Sequence, residues 1–166
     1  MILSLFHAAL LVAALLCSLV AGVLFAFAVV VMPGIGNLDD ASFIRAFQVT
    51  DRVIQNNQPL FVLVWVGSVL AVIAAAVLGL WAVAGVVRVL LVVAALVYLV
   101  GVQVPTGMVN IPLNNRLQSL DVATMTDATR RDARETFERR WNRWNVIRTV
   151  VALVVAVLLL FVLLRV

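Results

Sequence analysis

The chain has 166 residues, of which 65% are hydrophobic and only 12% are charged, and its mean hydropathy is +1.17. Soluble domains are about 45–50% apolar and about a quarter charged, so this composition excludes a water-soluble globule and indicates a single membrane domain. The net charge is +4, and every basic residue is an arginine. Because most of these arginines are interleaved with acids beside apolar segments, the charge does not predict binding to nucleic acid.

Few residues in the sequence could hold a metal or a nucleotide. Cys17 is the single cysteine and lies in an apolar segment, where a small buried thiol is expected. His7 is the single histidine, which excludes a metal site built from several histidines. No Walker, dinucleotide-binding, zinc-protease or nucleophile-elbow motif is present. We therefore predict no metal site and no cofactor.

Residues 2–32 form the first apolar segment, which is longer than the apolar region of a signal peptide and lacks preceding basic residues. At about 1.5 Å per residue this helix exceeds the roughly 30 Å hydrocarbon core of a bilayer, so we predict a retained spanning helix. Pro33 and Gly34 are expected to stop it. Small residues recur at four-residue intervals and are expected to pack against another helix: Ala14, Ser18, Gly22 and Ala26.

Residues 40–57 are predicted to form an amphipathic helix in the first long loop. Phe43, Phe47 and Ile54 share one face of this helix, while polar residues such as Gln48 lie toward another. The pattern indicates a helix that lies at the membrane interface or folds back over the mouth of the bundle.

Two further apolar segments, residues 60–80 and 86–104, predict the second and third spans, joined by a short turn. Pro105 and Gly107 are expected to end the third span. The polar stretch that follows is rich in amides and is rigidified by Pro112.

From Thr126, a plausible N-cap, the sequence predicts one helix that continues to the last residues of the chain. Residues 127–145 would stand outside the membrane and residues 146–164 would span it. We therefore expect an all-α membrane protein. Its architecture would be a four-helix transmembrane bundle with an interfacial helix in the first long loop and an extended last helix.

Four spans place both termini on the same side of the membrane. Only Arg88 and Arg165 lie on that side, whereas the other ten arginines lie in or beside the two long loops. The positive-inside rule therefore predicts a multi-pass protein of the cell membrane with cytoplasmic long loops and both termini outside.

Polar and aromatic residues are concentrated on the loop side of the predicted bundle. Trp141, Trp144, Asn145 and Arg148 fall at i, i+3, i+4 and i+7, so they share one face of the last helix. The loops contribute further candidates on the same side: Gln48, Gln55, Asn56, Asn110, Asn114 and Arg116. Two interpretations stay open, a structural clasp that ties the loops down or a site that holds the carbonyl or oxyanion of a ligand.

His7 would lie about 37 Å from Met32 along the first helix, near the termini and far from this cluster. Its position on the helical wheel predicts that it faces the bundle. Histidine can ligate haem or act as a base near neutral pH, so a haem-binding protein that uses His7 is one further hypothesis. Simple packing is the competing role.

Five short motifs follow one another over nearly the whole chain. They are Val31-Met32-Pro33-Gly34, Phe47-Gln48, Ile54-Gln55-Asn56 with Pro59 and Phe61, Asn110-Ile111-Pro112-Leu113-Asn114, and Trp141-x-x-Trp144-Asn145-x-x-Arg148. Their order and spacing resemble the anthrone oxygenase-like family of integral membrane proteins. This resemblance implies a membrane protein that binds a hydrophobic small molecule and oxidises anthrones to anthraquinones, without an established metal or flavin.

Such a reaction needs a pocket that stacks a flat substrate on indoles and stabilises its enolate with hydrogen-bond donors. On this hypothesis Asn145, Arg148 and Asn110 are the catalytic donors. The ligand-binding candidates are Trp141, Trp144, Asn114, Arg116, Gln48, Gln55 and Asn56. The competing hypothesis is non-enzymatic: an accessory subunit, or a lipid- or quinone-binding module, whose extended last helix docks onto a protein partner or a second copy of the chain.

Overall fold

The computed structural model describes residues 1–166, and every regular element in it is helical. The seven α-helices are α1 Ile2–Ala26, α2 Met32–Ile35, α3 Asp40–Gln55, α4 Pro59–Ala82, α5 Gly85–Tyr98, α6 Ile111–Gln118 and α7 Asp127–Leu163. π-Helical segments at Phe27–Val31, Leu99–Gln103 and Thr106–Asn110 make α1 continuous with α2 and α5 continuous with α6. The chain thus has four helices that are long and apolar enough to cross a membrane: Ile2–Ile35, Pro59–Ala82, Gly85–Gln118 and Asp127–Leu163. The predicted all-α four-helix bundle is confirmed.

The prolines do not end the first and third spanning helices, contrary to the prediction. Pro33 lies at the second position of α2, directly after a π-helical segment, and Pro105 lies between the two π-helical segments of the third helix. A π-helical turn shifts the hydrogen-bond register by one residue, so a residue without an N–H is accommodated there without breaking the helix. The third spanning helix therefore continues to Gln118, well beyond residue 104.

The helix predicted in the first long loop is present as α3 but is shorter than residues 40–57. Asp39 caps its start, because the carboxylate Oδ1 accepts a hydrogen bond from the Ser42 N–H at 3.0 Å. Asn57 has a φ of 57°, a left-handed conformation that asparagine tolerates better than most residues. The helix therefore ends at Gln55 and the chain turns sharply into α4.

The larger of two hydrophobic cores fills the bundle formed by α1, α4, α5 and α7. Small side chains of α1 lie at its centre, including the fully buried Cys17. The buried Tyr98 directs its hydroxyl to Ser68, with 2.6 Å between the two oxygens, so neither polar group is left unpaired among apolar side chains.

The smaller core joins α3 to α6 and to the first half of α7. Phe47 of α3 packs edge-on against Phe137 and Trp141 of α7, with ring centroids 4.6 and 5.5 Å apart. Arg134 of α7 also contacts the loop that precedes α3. Its guanidinium donates hydrogen bonds to the backbone carbonyls of Gly36 and Leu38 at 2.7 and 2.8 Å. The amphipathic helix α3 is thus folded back against α7.

The predicted stripe of small residues on α1 is only partly an interface. Ala14 is buried and Ser18 is half-buried, but Gly22 and Ala26 are exposed. A four-residue step overshoots the 3.6-residue turn by about 40°, so over twelve residues the stripe rotates away from the neighbouring helices. The buried face instead continues through Cys17, at alternating three- and four-residue steps.

The third and fourth spanning helices pack tightly at Gly101. A Cβ atom built on Gly101 would lie 2.7 Å from Val151 Cγ1 of α7, whereas one on Gly22 would meet nothing within 4 Å. We expect Gly101→Ala to lower the free energy of unfolding by about 1–3 kcal/mol, because overpacking outweighs the higher helix propensity of alanine. Gly22→Ala should be neutral or stabilising by up to about 1 kcal/mol. Thermal unfolding of both variants in detergent tests this; equal midpoints would contradict the close approach.

Candidate functional site

A cavity of about 190 Å³ lies between the loop-side ends of the spanning helices, and α3 forms one of its walls. Nine of its fifteen lining residues are hydrophobic, and aromatic side chains from four elements are among them: Phe27, Phe47, Phe61, Trp65 and Trp141. An apolar cavity of about 150 Å³ is large enough to bind benzene, so this one can take an aromatic ring.

Most of the lining residues that keep some exposure are apolar. Ile111 is exposed, and Ile54 and Phe61 are half-buried, on three different helices that border the cavity, whereas the half-buried Thr106 and Asn114 are polar. Phe61 stacks on Trp65 one turn further along α4, with ring centroids 5.4 Å apart and an interplanar angle of 18°. The partly exposed part of the lining is therefore mainly hydrocarbon and aromatic.

The π-helical segments place polar side chains in this apolar environment. Thr106 and Asn110 lie in the last π-helical segment of the third helix, and Phe27 begins the one that follows α1. The Thr106 hydroxyl donates to the Val102 carbonyl at 2.7 Å. Asn145 of α7 donates through Nδ2 to the Leu24 carbonyl at 3.1 Å, just before α1 becomes π-helical. These side-chain hydrogen bonds therefore lie at or beside the π-helical segments of the first and third helices.

Arg148 lines the cavity and is only 3% exposed. Its two terminal nitrogens donate to Thr106 Oγ1 at 2.8 Å and to Asn145 Oδ1 at 3.1 Å. Its Nε has no hydrogen-bond partner, and no carboxylate forms an ion pair with it. A buried cation without a counter-ion is costly, so such a group at a cavity wall is suited to receive an anion or a polarised oxygen.

Asn110 lies one turn beyond Thr106 and is 2% exposed. Its Nδ2 points at the Trp141 carbonyl at 3.5 Å, a long hydrogen bond, while its buried Oδ1 has no partner. A free amide oxygen at the cavity wall can accept a hydrogen bond from a ligand hydroxyl.

Asp51 also lines the cavity and is 3% exposed. Its Oδ1 accepts from Asn114 Nδ2 at 2.8 Å, and its Oδ2 accepts from Gln55 Nε2 at 2.6 Å and Gln118 Nε2 at 3.1 Å. Asn114 in turn accepts from the Trp141 indole N–H at 2.7 Å. The carboxylate is thus fixed by three amides, one of which also orients the indole.

The sequence interpretation missed Asp51, although a signal for it was present. Asp51 follows Phe47 by four residues and precedes Ile54 by three, so it lies on the apolar face of α3. A carboxylate on the buried face of an amphipathic helix needs hydrogen-bond donors or a cation to offset its burial, so it indicates either a structural pair or a functional group.

Five of the ten predicted site residues line the cavity: Asn110, Asn114, Trp141, Asn145 and Arg148. Two others, Gln55 and Gln48, do not line the cavity but form hydrogen bonds through their side-chain amides. Gln55 supports Asp51, and Gln48 donates from α3 to the carbonyls of Leu117 and Leu120 at 2.8 and 2.9 Å. Gln48 therefore fastens α3 to the end of α6.

The remaining three predicted site residues lie away from the cavity. Trp144 is half-buried and does not line it; on the helical wheel it lies at one edge of the predicted face, about 100° from Asn145 at the other edge. Arg116 is exposed and borders a separate surface groove next to Leu113. Asn56 is exposed and caps the end of α3.

His7 lies at the opposite end of the bundle from the cavity. Its Nε2 is 3.3 Å from the carbonyl oxygen of Val166, and its ring packs beside that of Phe6. No group of three or more His, Cys, Asp or Glu side chains is arranged to hold a metal ion. Haem binding through His7 stays a hypothesis.

The fold and the cavity together define a class of protein: a small four-helix integral membrane protein with an aromatic-walled cavity that two buried charged residues, Asp51 and Arg148, help to line. A family model described as Anthrone oxygenase matches residues 51–158, more than half of the chain. The protein therefore belongs to the anthrone oxygenase family, as the sequence motifs indicate. No curated protein and no solved structure matches the chain.

The attachment of α3 over the cavity depends on Gln48. We expect Gln48→Met to weaken this attachment by about 1–3 kcal/mol, because the buried carbonyls of Leu117 and Leu120 lose their donor. Hydrogen exchange measured by mass spectrometry should show faster exchange in α3 than in the wild-type protein. Arg45→Met, at an exposed position of the same helix, is the matched control and should exchange like wild type. Unchanged protection in Gln48→Met would contradict the role of Gln48.

Proposed function

We propose that this protein oxidises a flat aromatic ketone of the anthrone class with dioxygen inside the cavity. Membership of the anthrone oxygenase family supports this proposal, as does the mainly apolar and aromatic lining of the cavity. In the overall reaction one ring methylene becomes a carbonyl: the substrate and O₂ give the anthraquinone and one molecule of water. One oxygen atom is retained in the product and the other leaves as water.

The single observation that carries the proposal is the state of Arg148. Removal of a methylene proton from an anthrone places negative charge on the carbonyl oxygen, which becomes an aromatic phenolate-like oxyanion. A buried guanidinium with an unpartnered Nε would stabilise this charge most strongly where water is excluded. The electron-rich carbanion can then react with dioxygen.

The neighbours of Arg148 take different roles in this proposal. Both polar ends of Asn145 are engaged, one with the Leu24 carbonyl and one with Arg148, so we assign Asn145 to positioning the guanidinium. Asn110 is assigned to accept a hydrogen bond from a ligand hydroxyl through its free Oδ1. This differs from the role of direct donor that both amides have in the sequence hypothesis.

The aromatic residues supply a surface for a flat ligand. Trp141 lies between Phe27 and Phe47, with ring centroids 5.7 and 5.5 Å away, and the stacked pair Phe61 and Trp65 lines the cavity from α4. A tricyclic ketone would be retained by offset stacking and by removal of its rings from water.

We expect Arg148→Met to slow oxidation strongly while leaving the protein folded. Loss of one oxyanion donor typically lowers turnover by about 100- to 1,000-fold. An apolar side chain of similar length removes an uncompensated buried charge, so the unfolding midpoint should not fall. Dioxygen uptake and quinone absorbance with anthrone, corrected for uncatalysed oxidation, measure activity, and thermal unfolding measures stability. Arg143→Met, at an exposed position of α7, is the control and should keep wild-type turnover.

The same experiment separates the competing functions. A structural clasp predicts that Arg148→Met loses stability and that the wild-type protein consumes no dioxygen with anthrone. A quinone-binding module predicts that anthraquinone quenches the tryptophan fluorescence of the wild-type protein although no dioxygen is consumed. Either result would overturn the proposed oxidation.

A further inference from the structure

We propose that Asp51 is the general base of this site, and that its separation from Arg148 selects substrates whose acidic C–H lies across a ring from the carbonyl. This inference rests on the proposed oxidation and adds to it a catalytic residue and a rule for substrate choice. It is carried by one feature of the cavity: a buried carboxylate and a buried guanidinium line the same space without pairing.

The two charges are held apart by the third spanning helix. Thr106, Asn110 and Asn114 follow one another at four-residue intervals and all three line the cavity. Thr106 binds Arg148, and Asn114 binds Asp51. Eight residues of helix correspond to about 12 Å between the backbones at the two ends. The cavity therefore runs from a cation to an anion, with the acceptor atom of Asn110 between them.

Each charge is fixed by its own partners. In a low-dielectric interior a carboxylate and a guanidinium attract strongly, and a direct pair would be the expected arrangement. Here the amides of Asn114, Gln118 and Gln55 secure the carboxylate, so its position does not depend on the guanidinium. When a ligand transfers its proton to Asp51, the carboxylate is neutralised. The negative charge that develops on the ligand oxygen then pairs with the guanidinium of Arg148.

The reaction can be written with Asp51 as the proton carrier. The carboxylate takes a proton from the ring methylene as that C–H bond breaks, and the electron pair moves through the ring to the carbonyl oxygen beside Arg148. The carbanion carbon then forms a bond to dioxygen, and the resulting peroxide anion takes the proton back from Asp51. Loss of water from this hydroperoxide, which breaks the O–O bond and the second C–H bond, leaves the new carbonyl. Asp51 ends in its starting state.

The position of the base sets the substrate class. In a simple ketone the acidic carbon is bonded to the carbonyl carbon, so a base and an oxyanion donor must converge on neighbouring positions. In an anthrone the methylene and the carbonyl are at opposite corners of the central ring. A base and an oxyanion donor at opposite ends of one cavity fit the second geometry, and we expect open-chain ketones of similar polarity to be poor substrates.

Proton exchange without dioxygen tests this inference separately from oxidation. Under nitrogen in D₂O, the wild-type protein should accelerate exchange of the methylene hydrogens of anthrone, followed by proton NMR. Asp51→Asn should slow this exchange by at least about 100-fold while anthraquinone still quenches tryptophan fluorescence. Asp132→Asn changes an exposed aspartate of α7 and should behave like wild type. Exchange by Asp51→Asn within about threefold of wild type would overturn the assignment.

A second variant covers the case in which Asp51→Asn does not fold, since an asparagine amide would face three amide donors. Asp51→Ala leaves space for formate, and exchange that returns in proportion to added formate would support a carboxylate base. Two results for Asp51→Ala would overturn the assignment of Asp51 as the base. One is exchange at the wild-type rate without formate, and the other is no response to formate in a variant that still binds anthraquinone.

The two proposals fail in different ways. A wild-type protein that neither exchanges the methylene hydrogens nor consumes dioxygen removes the proposed function. A wild-type protein that consumes dioxygen, with Asp51→Asn equally active, removes only the role of Asp51. If an open-chain aryl ketone is exchanged as fast as anthrone, the substrate rule is wrong.

Discussion

A guanidinium enclosed in an apolar bundle with no carboxylate to neutralise it is the constraint on which the rest of this site depends. Arg148 can remain there only because Thr106 and Asn145 accept its hydrogen bonds, and those two residues are themselves fixed by backbone carbonyls of two other helices. Both carbonyls lie at or beside the π-helical segments of these helices. The side chains that hold the guanidinium are therefore the same ones that contact the irregular backbone of the first and third helices.

The architecture could be predicted from the sequence because hydrophobic length and charge distribution determine it. Four long apolar segments and an amphipathic one specify the helices, and local rules identified the cap at Thr126, whose hydroxyl accepts from the Thr129 N–H. The effects of Pro33 and Pro105 were mispredicted because those rules assume α-helical register. A π-helical turn changes that register, and no residue type in the sequence indicates where such a turn occurs. The sidedness of the loops stays a prediction from the arginine distribution.

The candidate site was only half predictable for a related reason. Residues of α7 could be grouped by helical spacing within one helix, and Trp141, Asn145 and Arg148 do line the cavity together. The carboxylate of Asp51 comes from α3, and two of its three amide partners, Asn114 and Gln118, come from α6, so their meeting depends on how two amphipathic helices dock. Arg116 and Asn56 were included because they are polar and lie in the same loops, yet polarity in a loop more often means exposure to solvent.

For the proposed reaction, the partly exposed apolar residues Ile54, Phe61 and Ile111 bear on the phase from which the cavity is filled. Flat aromatic ketones and dioxygen both dissolve better in hydrocarbon than in water. Reactants of the proposed oxidation that enter past these side chains would partition from the bilayer, where each is concentrated, and little water would accompany them. The effective substrate concentration would then be set by the amount of lipid in the preparation. Turnover would have to be compared at a fixed ratio of substrate to lipid or detergent, and not at a fixed concentration in the aqueous buffer.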